Sequence, residues 1–271
     1  MKIGIDAGGT LTKVVKMYDD GTYEYSSRPT TEVDMLIQEL NEEEDVTLYL
    51  TGGGSVYISE HVKHESHLQI EFDAAFTGLT YLMEQQNIPL DRFVYLNIGT
   101  GTSFHVVENN AQHRVGGTGI GGGTLMGLSQ LLTGYETFEE IVETAKQGNR
   151  DTLDLKVKHI FKDGPVPKPL TPELTASNFA RVEPHHHTTA TDADKLASVI
   201  GMVAEGAISF GVTLAQGFKT NDLVLIGSTL KDNDVMQSVI HSYGSLKGIK
   251  PHIIENGEYS GAIGAILVTE Q

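Results

Sequence analysis

The sequence predicts an α/β protein of two lobes with a ligand cleft between them. Three observations carry this. A meander of short β-rich runs opens the chain, a second meander begins after residue 91, and the 30 glycines gather at 8–9, 52–54, 99–101, 116–123 and 257–264, where strands end.

Taken in order, "KIGIDAG", "LTKVVKMY" and "TYEYSS" read as three strands joined by tight turns, the second turn being "DDG" at 19–21. Val33, Leu36, Ile37 and Leu40 then recur at helical spacing, with Thr31 placed to cap them. "DVTLYLTGGG" is a strand ending on glycines, "SVYISEHV" a short helix, and "HLQIEFDAAFTGLTYLMEQQ" begins extended and turns helical at about Asp73. The order βββαβαβα is thus complete by residue 86. Next, "RFVYLNIGTGTSFHVVENNAQHRVGG" supplies three more strands with a hairpin at "ENNAQ", followed by helices at about 121–133, 137–147 and 194–218. "LVLIG" is a strand, "DNDVMQSVIHSY" a helix, "KPHII" a strand and "SGAIGAILV" a final helix whose small residues suit tight packing. Five of the eight prolines fall in 162–193, which predicts an irregular flap rather than a domain.

Composition narrows the function. A chain of 271 residues can bury one large core or two smaller ones. Lys and Arg number 19 against 36 Asp and Glu, a formal charge of −17, which disfavours a broad phosphate-backbone surface and makes nucleic acid an unexpected partner. A polyanionic substrate on such a chain needs local cradling by backbone N–H groups, a few cations and a metal such as Mg²⁺. With no cysteine, disulfides, thiolate nucleophiles, Fe–S clusters and cysteine zinc sites are excluded. The N-terminal run lacks the pattern of a signal peptide, and no stretch reaches about 18 consecutive apolar residues, so a cytoplasmic protein with no membrane partner is the expectation.

The glycine clusters point to phosphate chemistry. In "MKIGIDAGGTLTKVV", Asp6 ends a strand and Gly8, Gly9 and Thr10 form a bare turn able to bring backbone N–H donors close to phosphates, with Lys13 adding a point charge. "NIGTGTS" at 97–103 repeats that turn in the second half, so two hairpins are expected to face each other across a nucleotide. In "RVGGTGIGGGTLMGLSQLL", Arg114 and six glycines precede a helix whose N-terminus suits an anion. Glu71, at a predicted strand end, and Asp73, near a helix start, are the candidate bases for an attacking hydroxyl. "TGGG" at 51–54 lines the cleft or caps its strand, and "GSTL" at 227–230 is a second candidate nucleotide-facing turn. His185, His186 and His187 lack helical metal spacing, so no metal site is assigned to them.

Together "GIDAGGTLTKVV", "IEFDAA", "NIGTGTS", "RVGGTGIGGGT" and "SGAIGA" resemble the type II pantothenate kinases, staphylococcal in form, across essentially the whole chain. "GGGTLMGLSQLLTGYETFEE" also resembles a stretch of the eukaryotic enzymes. The resemblance implies a two-lobed actin/hexokinase-like ATPase fold, a homodimer, and transfer of the γ-phosphoryl of MgATP to pantothenate. It implies Glu71 as catalytic base, Arg114 as a clamp on substrate and transferred phosphoryl, and Thr100 and Ser103 as pantothenate contacts. For ATP it implies Asp6, Ala7, Gly8, Gly9, Thr10, Leu11, Thr12 and Lys13, together with Thr100, Gly101, Gly122, Gly123, Thr124, Leu125 and Met126. Phe138 and Ser228 would lie nearer base and ribose, and Asp6 would serve the metal through water. Similar bacterial enzymes can carry Tyr at the position of Phe138, which removes a hydroxyl contact here. Tyr243 is the candidate for reaching across a dimer. Residues 1–90 with a C-terminal helix at about 258–271 form the expected first lobe, and 91–257 the second. A sugar or amino-sugar kinase, with Asp73 as base, and a non-catalytic actin-like nucleotide switch are the competing readings.

Overall fold

The computed structural model describes residues 1–162, 164–182 and 190–268. The first meander is β1 (Lys2–Ala7), β2 (Leu11–Met17) and β3 (Tyr23–Pro29), followed by α1 (Val33–Glu42), β4 (Thr47–Thr51), α2 (Ser55–His61), β5 (Ser66–Leu68) and α3 (Glu71–Gln85). The second is β6 (Arg92–Ile98), β7 (Thr102–Glu108) and β8 (Ala111–Thr118), followed by α4 (Gly122–Thr133) and α5 (Phe138–Ala145). A small unit of β9 (Leu155–Lys156), α6 (Val157–Phe161) and β10 (Thr175–Ser177) intervenes. The chain then runs through α7 (Asp192–Gly217), β11 (Asp222–Ile226), α8 (Asp234–Leu246), β12 (Lys250–Ile253) and α9 (Ser260–Leu267).

Two five-stranded sheets result, ordered β3-β2-β1-β4-β5 and β12-β11-β6-β7-β8. In each, the third, second and first strands of a meander are joined by two later parallel strands, so the duplicated order expected from sequence is present. Period-2 alternation builds the layers. Ile3, Ile5 and Val14 meet Leu36, Leu40 and Ile58 on one face of the first sheet. Val94, Leu96 and Leu223 meet Val199, Val203 and Ile208 of α7 on one face of the second. The opposite face of that sheet joins Phe93, Tyr95 and Val107 to Val15, Leu79 and Ile263, so a single apolar layer links the two sheets.

Small residues in the last helix are there for packing, as the sequence suggested. A Cβ on Gly264 would fall 1.7 Å from the Ala74 carbonyl oxygen, and one on Gly78 would fall 1.9 Å from that of Ser260, so α3 and α9 cross backbone to backbone. Among the described residues α7 is the one helix long and apolar enough to cross a bilayer, but most of it is buried in the core.

Three local expectations are corrected. Thr31 caps nothing: Thr30–Glu32 form a 3₁₀ turn, and α1 starts after Glu32 with no side-chain cap. α3 begins at Glu71, not Asp73, because the Ala74 amide already donates to Ile70 O at 2.9 Å, and two carboxylates in its first turn suit the positive end of the helix dipole. The segment 162–193 is not wholly irregular. β10 pairs with β9, while Asn178 Nδ2 donates to Glu205 at 2.8 Å and the Phe179 amide to buried Asp154 at 3.0 Å. His185, His186 and His187 lie outside the described residues.

Candidate functional site: a cleft between two glycine hairpins

The first hairpin presents Asp6 and Lys13 as a cross-strand pair, Lys13 Nζ lying 3.9 Å from Asp6 Oδ2. Burial pushes the Asp6 carboxyl up and Lys13 opposes it. The turn between them is braced from β3, since the Thr30 hydroxyl donates to Gly8 O at 3.0 Å and its amide to Thr10 O at 2.9 Å. Gly52 lies on the other side of Asp6 with φ +85°, where a Cβ would come within 2.8 Å of Oδ1, so this glycine packs against the carboxylate while Gly54 abuts Ala7.

The two turns meet. Thr10 Oγ1 and Thr100 Oγ1 are 2.7 Å apart, although 90 residues separate them in the chain. The Gly122 amide donates to Gly99 O at 2.7 Å and the Gly123 amide to Thr100 O at 2.9 Å. These two donors at the start of α4 are therefore not free for a ligand, contrary to the expectation that they cradle phosphate directly; they hold the second turn in place. Thr229 Oγ1 donates to the same Gly99 carbonyl at 3.1 Å, which brings the 3₁₀ turn Ser228–Leu230 alongside.

Ala7, Thr12 and Leu125 are buried at 1%, 0% and 0% exposure, so their side chains cannot line a ligand. Alternation explains Thr12: it shares a face of β2 with core residue Val14, whereas Lys13 is on the opposite face. Gly8, Gly9, Thr10, Leu11, Gly101 and Thr124 remain at least partly exposed, while Met126 and Phe138 pack on the core beneath α4 and α5.

Glu71, first residue of α3, keeps contact with solvent, yet desolvation and then the Asp6 charge push its carboxyl above the usual range against a smaller pull from Lys13. Arg114 reaches the same neighbourhood. Its guanidinium lies 5.4 Å over the ring of Phe72, next to Glu71, and a Cβ on Gly117 would come within 2.9 Å of its Nη2. A register shift between β7 and β8 pairs Phe104 with Gly116 and His105 with Arg114, leaving Val115 as the extra residue. Such a bulge re-aims side chains. Here it sets Arg114 in one cross-strand row with His105 and Tyr95.

His105, Tyr95, Gln112 and Thr229 were missed in the sequence. His105 follows Ser103 by two residues on a strand, so the period-2 rule alone places it on the same face. Thr229 lies inside the noted "GSTL" turn, but its bond to Gly99 is long-range. Tyr243 lines a cavity of about 540 Å³ with Arg150, Glu173 and Glu205, none of them in the constellation above.

Duplicated βββαβαβα lobes whose glycine turns meet define the actin/hexokinase-like ATPase fold. A ROK family glucokinase from Streptomyces griseus in complex with glucose and AMPPNP shares this fold at TM-score 0.56 and 13% identity, over 98% of both chains. Ta0583, an archaeal actin homolog in complex with ADP, does so at 0.55 and 10%, over 100% of this chain and 99% of that one. The chain belongs to the Fumble family, whose model matches residues 24–268. It is 46% identical over 266 residues to a type II pantothenate kinase of Staphylococcus saprophyticus, covering 98% of this chain and 99% of the relative. The type II pantothenate kinases of Staphylococcus epidermidis and Staphylococcus aureus are 45% and 41% identical over 98% of this chain, covering 99% and 98% of those relatives.

Proposed function

We propose that this protein is a pantothenate kinase that transfers the γ-phosphoryl group of MgATP to pantothenate, giving 4′-phosphopantothenate for coenzyme A synthesis. The reading is carried by near full-length similarity to enzymes named for that reaction, and it agrees in kind with a cleft in which two glycine hairpins meet beside one raised carboxyl and one arginine.

In this reading Glu71 takes the proton of the acceptor hydroxyl as its oxygen attacks the γ-phosphorus. Arg114 clamps the transferring group, and Thr100 and Ser103 hold pantothenate. The 6–13 turn and Lys13 bear the ATP phosphates, with Thr124 and Ser228 on the nucleotide side. Asp6, buried at the end of β1 beside Lys13 and near enough to Glu71 to raise its carboxyl, is a carboxylate that fits the water shell of a hydrated Mg²⁺. When bound, Mg²⁺ supplies neutralisation of phosphate charge, and Asp6 would orient its water. A kinase that draws on MgATP would work in the cytoplasm, which is the location proposed for it.

A second copy of this chain is the proposed partner. Exposed Leu131 and Leu132 on α4 and exposed Phe210 on α7 leave apolar surface on two packed helices, and Phe210 stacks on Phe104 at 5.3 Å. Sedimentation at the mass of two chains is expected, and a monomer at micromolar concentration would remove the dimer from the proposal.

Release of ADP from MgATP, measured with pantothenate, with N-acetylglucosamine and with no acceptor, tests the function. Strong stimulation by pantothenate alone is expected. Release driven by the sugar, or equal release without acceptor, would overturn the substrate assignment.

A further inference from the structure

One buried polar array beside the cleft has no part in the roles assigned so far. His105 is 1% exposed, yet its Nε2 lies 2.9 Å from Ser103 Oγ, while its buried Nδ1 makes no well-formed hydrogen bond and the Gln112 side chain acts on the ring by favouring its protonated form. Its ring stacks on Tyr95 with centroids 4.3 Å apart and planes 7° from parallel, and Phe72 closes the other approach at 5.7 Å. Tyr95, also 1% exposed, donates its hydroxyl to Gln112 Oε1 at 2.5 Å. Gln112 Nε2 in turn donates to the Phe72 carbonyl at 2.6 Å.

An apolar trio would fill this layer without an unpaired nitrogen, because buried polar groups cost stability unless bonded. The two ends of the array explain its chemistry. One end is Ser103; the other is the backbone of the second residue of α3, one residue from Glu71. A neutral imidazole offers Nε2 either one lone pair or one N–H, so it holds the Ser103 hydroxyl in one orientation. Burial, and then the Arg114 charge, lower His105 to a pKa of about 4, so the ring is neutral at physiological pH and sets no second cation beside Arg114.

We propose that His105, Tyr95 and Gln112 are positioning residues for phosphoryl transfer: His105 orients the Ser103 hydroxyl toward the acceptor, while Tyr95 and Gln112 hold the first turn of α3, and with it the Glu71 carboxylate, in register with that acceptor. The inference rests on the assignment of Ser103 and Glu71 to pantothenate. It separates two kinetic effects by residue. Ser103 is held at one end and the base at the other, so the ends act on different parameters.

The test uses the full chain, with KM for pantothenate, KM for ATP, kcat and the melting temperature measured for each variant. His105→Phe keeps the ring stack and removes the imidazole's polar contacts, the bond to Ser103 first among them. It is expected to raise KM for pantothenate about five- to tenfold with KM for ATP unchanged, and His105→Gln, which restores a polar reach to Ser103, is expected to recover most of the loss. Tyr95→Phe removes one hydroxyl and is expected to lower kcat about five- to tenfold with both KM values nearly unchanged. Wild-type kinetics in both folded variants would overturn the proposal, as would a parallel loss of every parameter together with a fall in melting temperature, the mark of a merely structural role. Should His105→Phe fail to fold, Tyr95→Phe alone decides. Wild-type enzyme that ignores pantothenate would instead sink the functional reading, a result visible before any variant is made.

Discussion

Glu71→Gln is expected to lower kcat by about 10²- to 10⁴-fold while KM for ATP stays close to that of the wild type. The amide is nearly isosteric, so α3 still starts where it does, and what disappears is the lone pair that takes the hydroxyl proton. The raised carboxyl fits the task, since a base works best with a pKa nearer the working pH. The sign of the pH dependence follows. Glu71 must be ionised to act, so kcat/KM for pantothenate should fall as pH drops through its raised pKa, and this acid limb should lie above the ordinary glutamate value of about 4.3. Glu71→Gln should flatten that limb. Near-normal turnover in the variant would remove Glu71 from the role and promote Asp73, which lies about 200° further round the same helix and so faces a different part of the site.

Arg114→Ala is expected to cost about 10²- to 10³-fold in kcat/KM for pantothenate, with a smaller effect on ATP affinity. A fork of donors aimed at the group in transit acts mainly in the transition state, where charge develops on the transferring oxygens. The surrounding structure prepares that fork: Phe72 supports the guanidinium from below, and Gly117 leaves space where a Cβ would meet it at 2.9 Å. Arg114→Lys should recover part of the loss, since charge returns without bidentate geometry. The Arg114 charge is also one cause of the depressed His105 pKa, so nuclear magnetic resonance titration of Arg114→Ala should show His105 moving up from about 4. A defect confined to ATP binding would contradict the clamp.

Much of the fold is legible in the amino-acid sequence alone. Alternation in "KIGIDA" and "LTKVVKM" placed the strands, and the second turn "NIGTGTS" marked the duplicated half. Other features were not legible. Helical spacing in α3 reads equally well from Glu71 or Asp73, so the start of the helix was set by where β5 ends and where Ile70 accepts its first amide. The Val115 bulge has no local signature, because a strand of "HRVGG" would pair equally well without it. The β9 and β10 strands are too short to declare themselves among prolines, and they owe their place to Arg150, Asp154 and Glu205.

By itself the sequence determined the two-lobed plan and the family to which the chain belongs, because hydrophobic period and glycine position are properties carried within each short segment. Only the tertiary structure decided that Thr10 meets Thr100, that Thr12 and Leu125 serve the core, that the amides of Gly122 and Gly123 are already bonded, and that His105 links Ser103 to the wall beside Glu71. Those outcomes depend on desolvation and on contacts between segments far apart in the chain, and neither is a property of any segment taken alone.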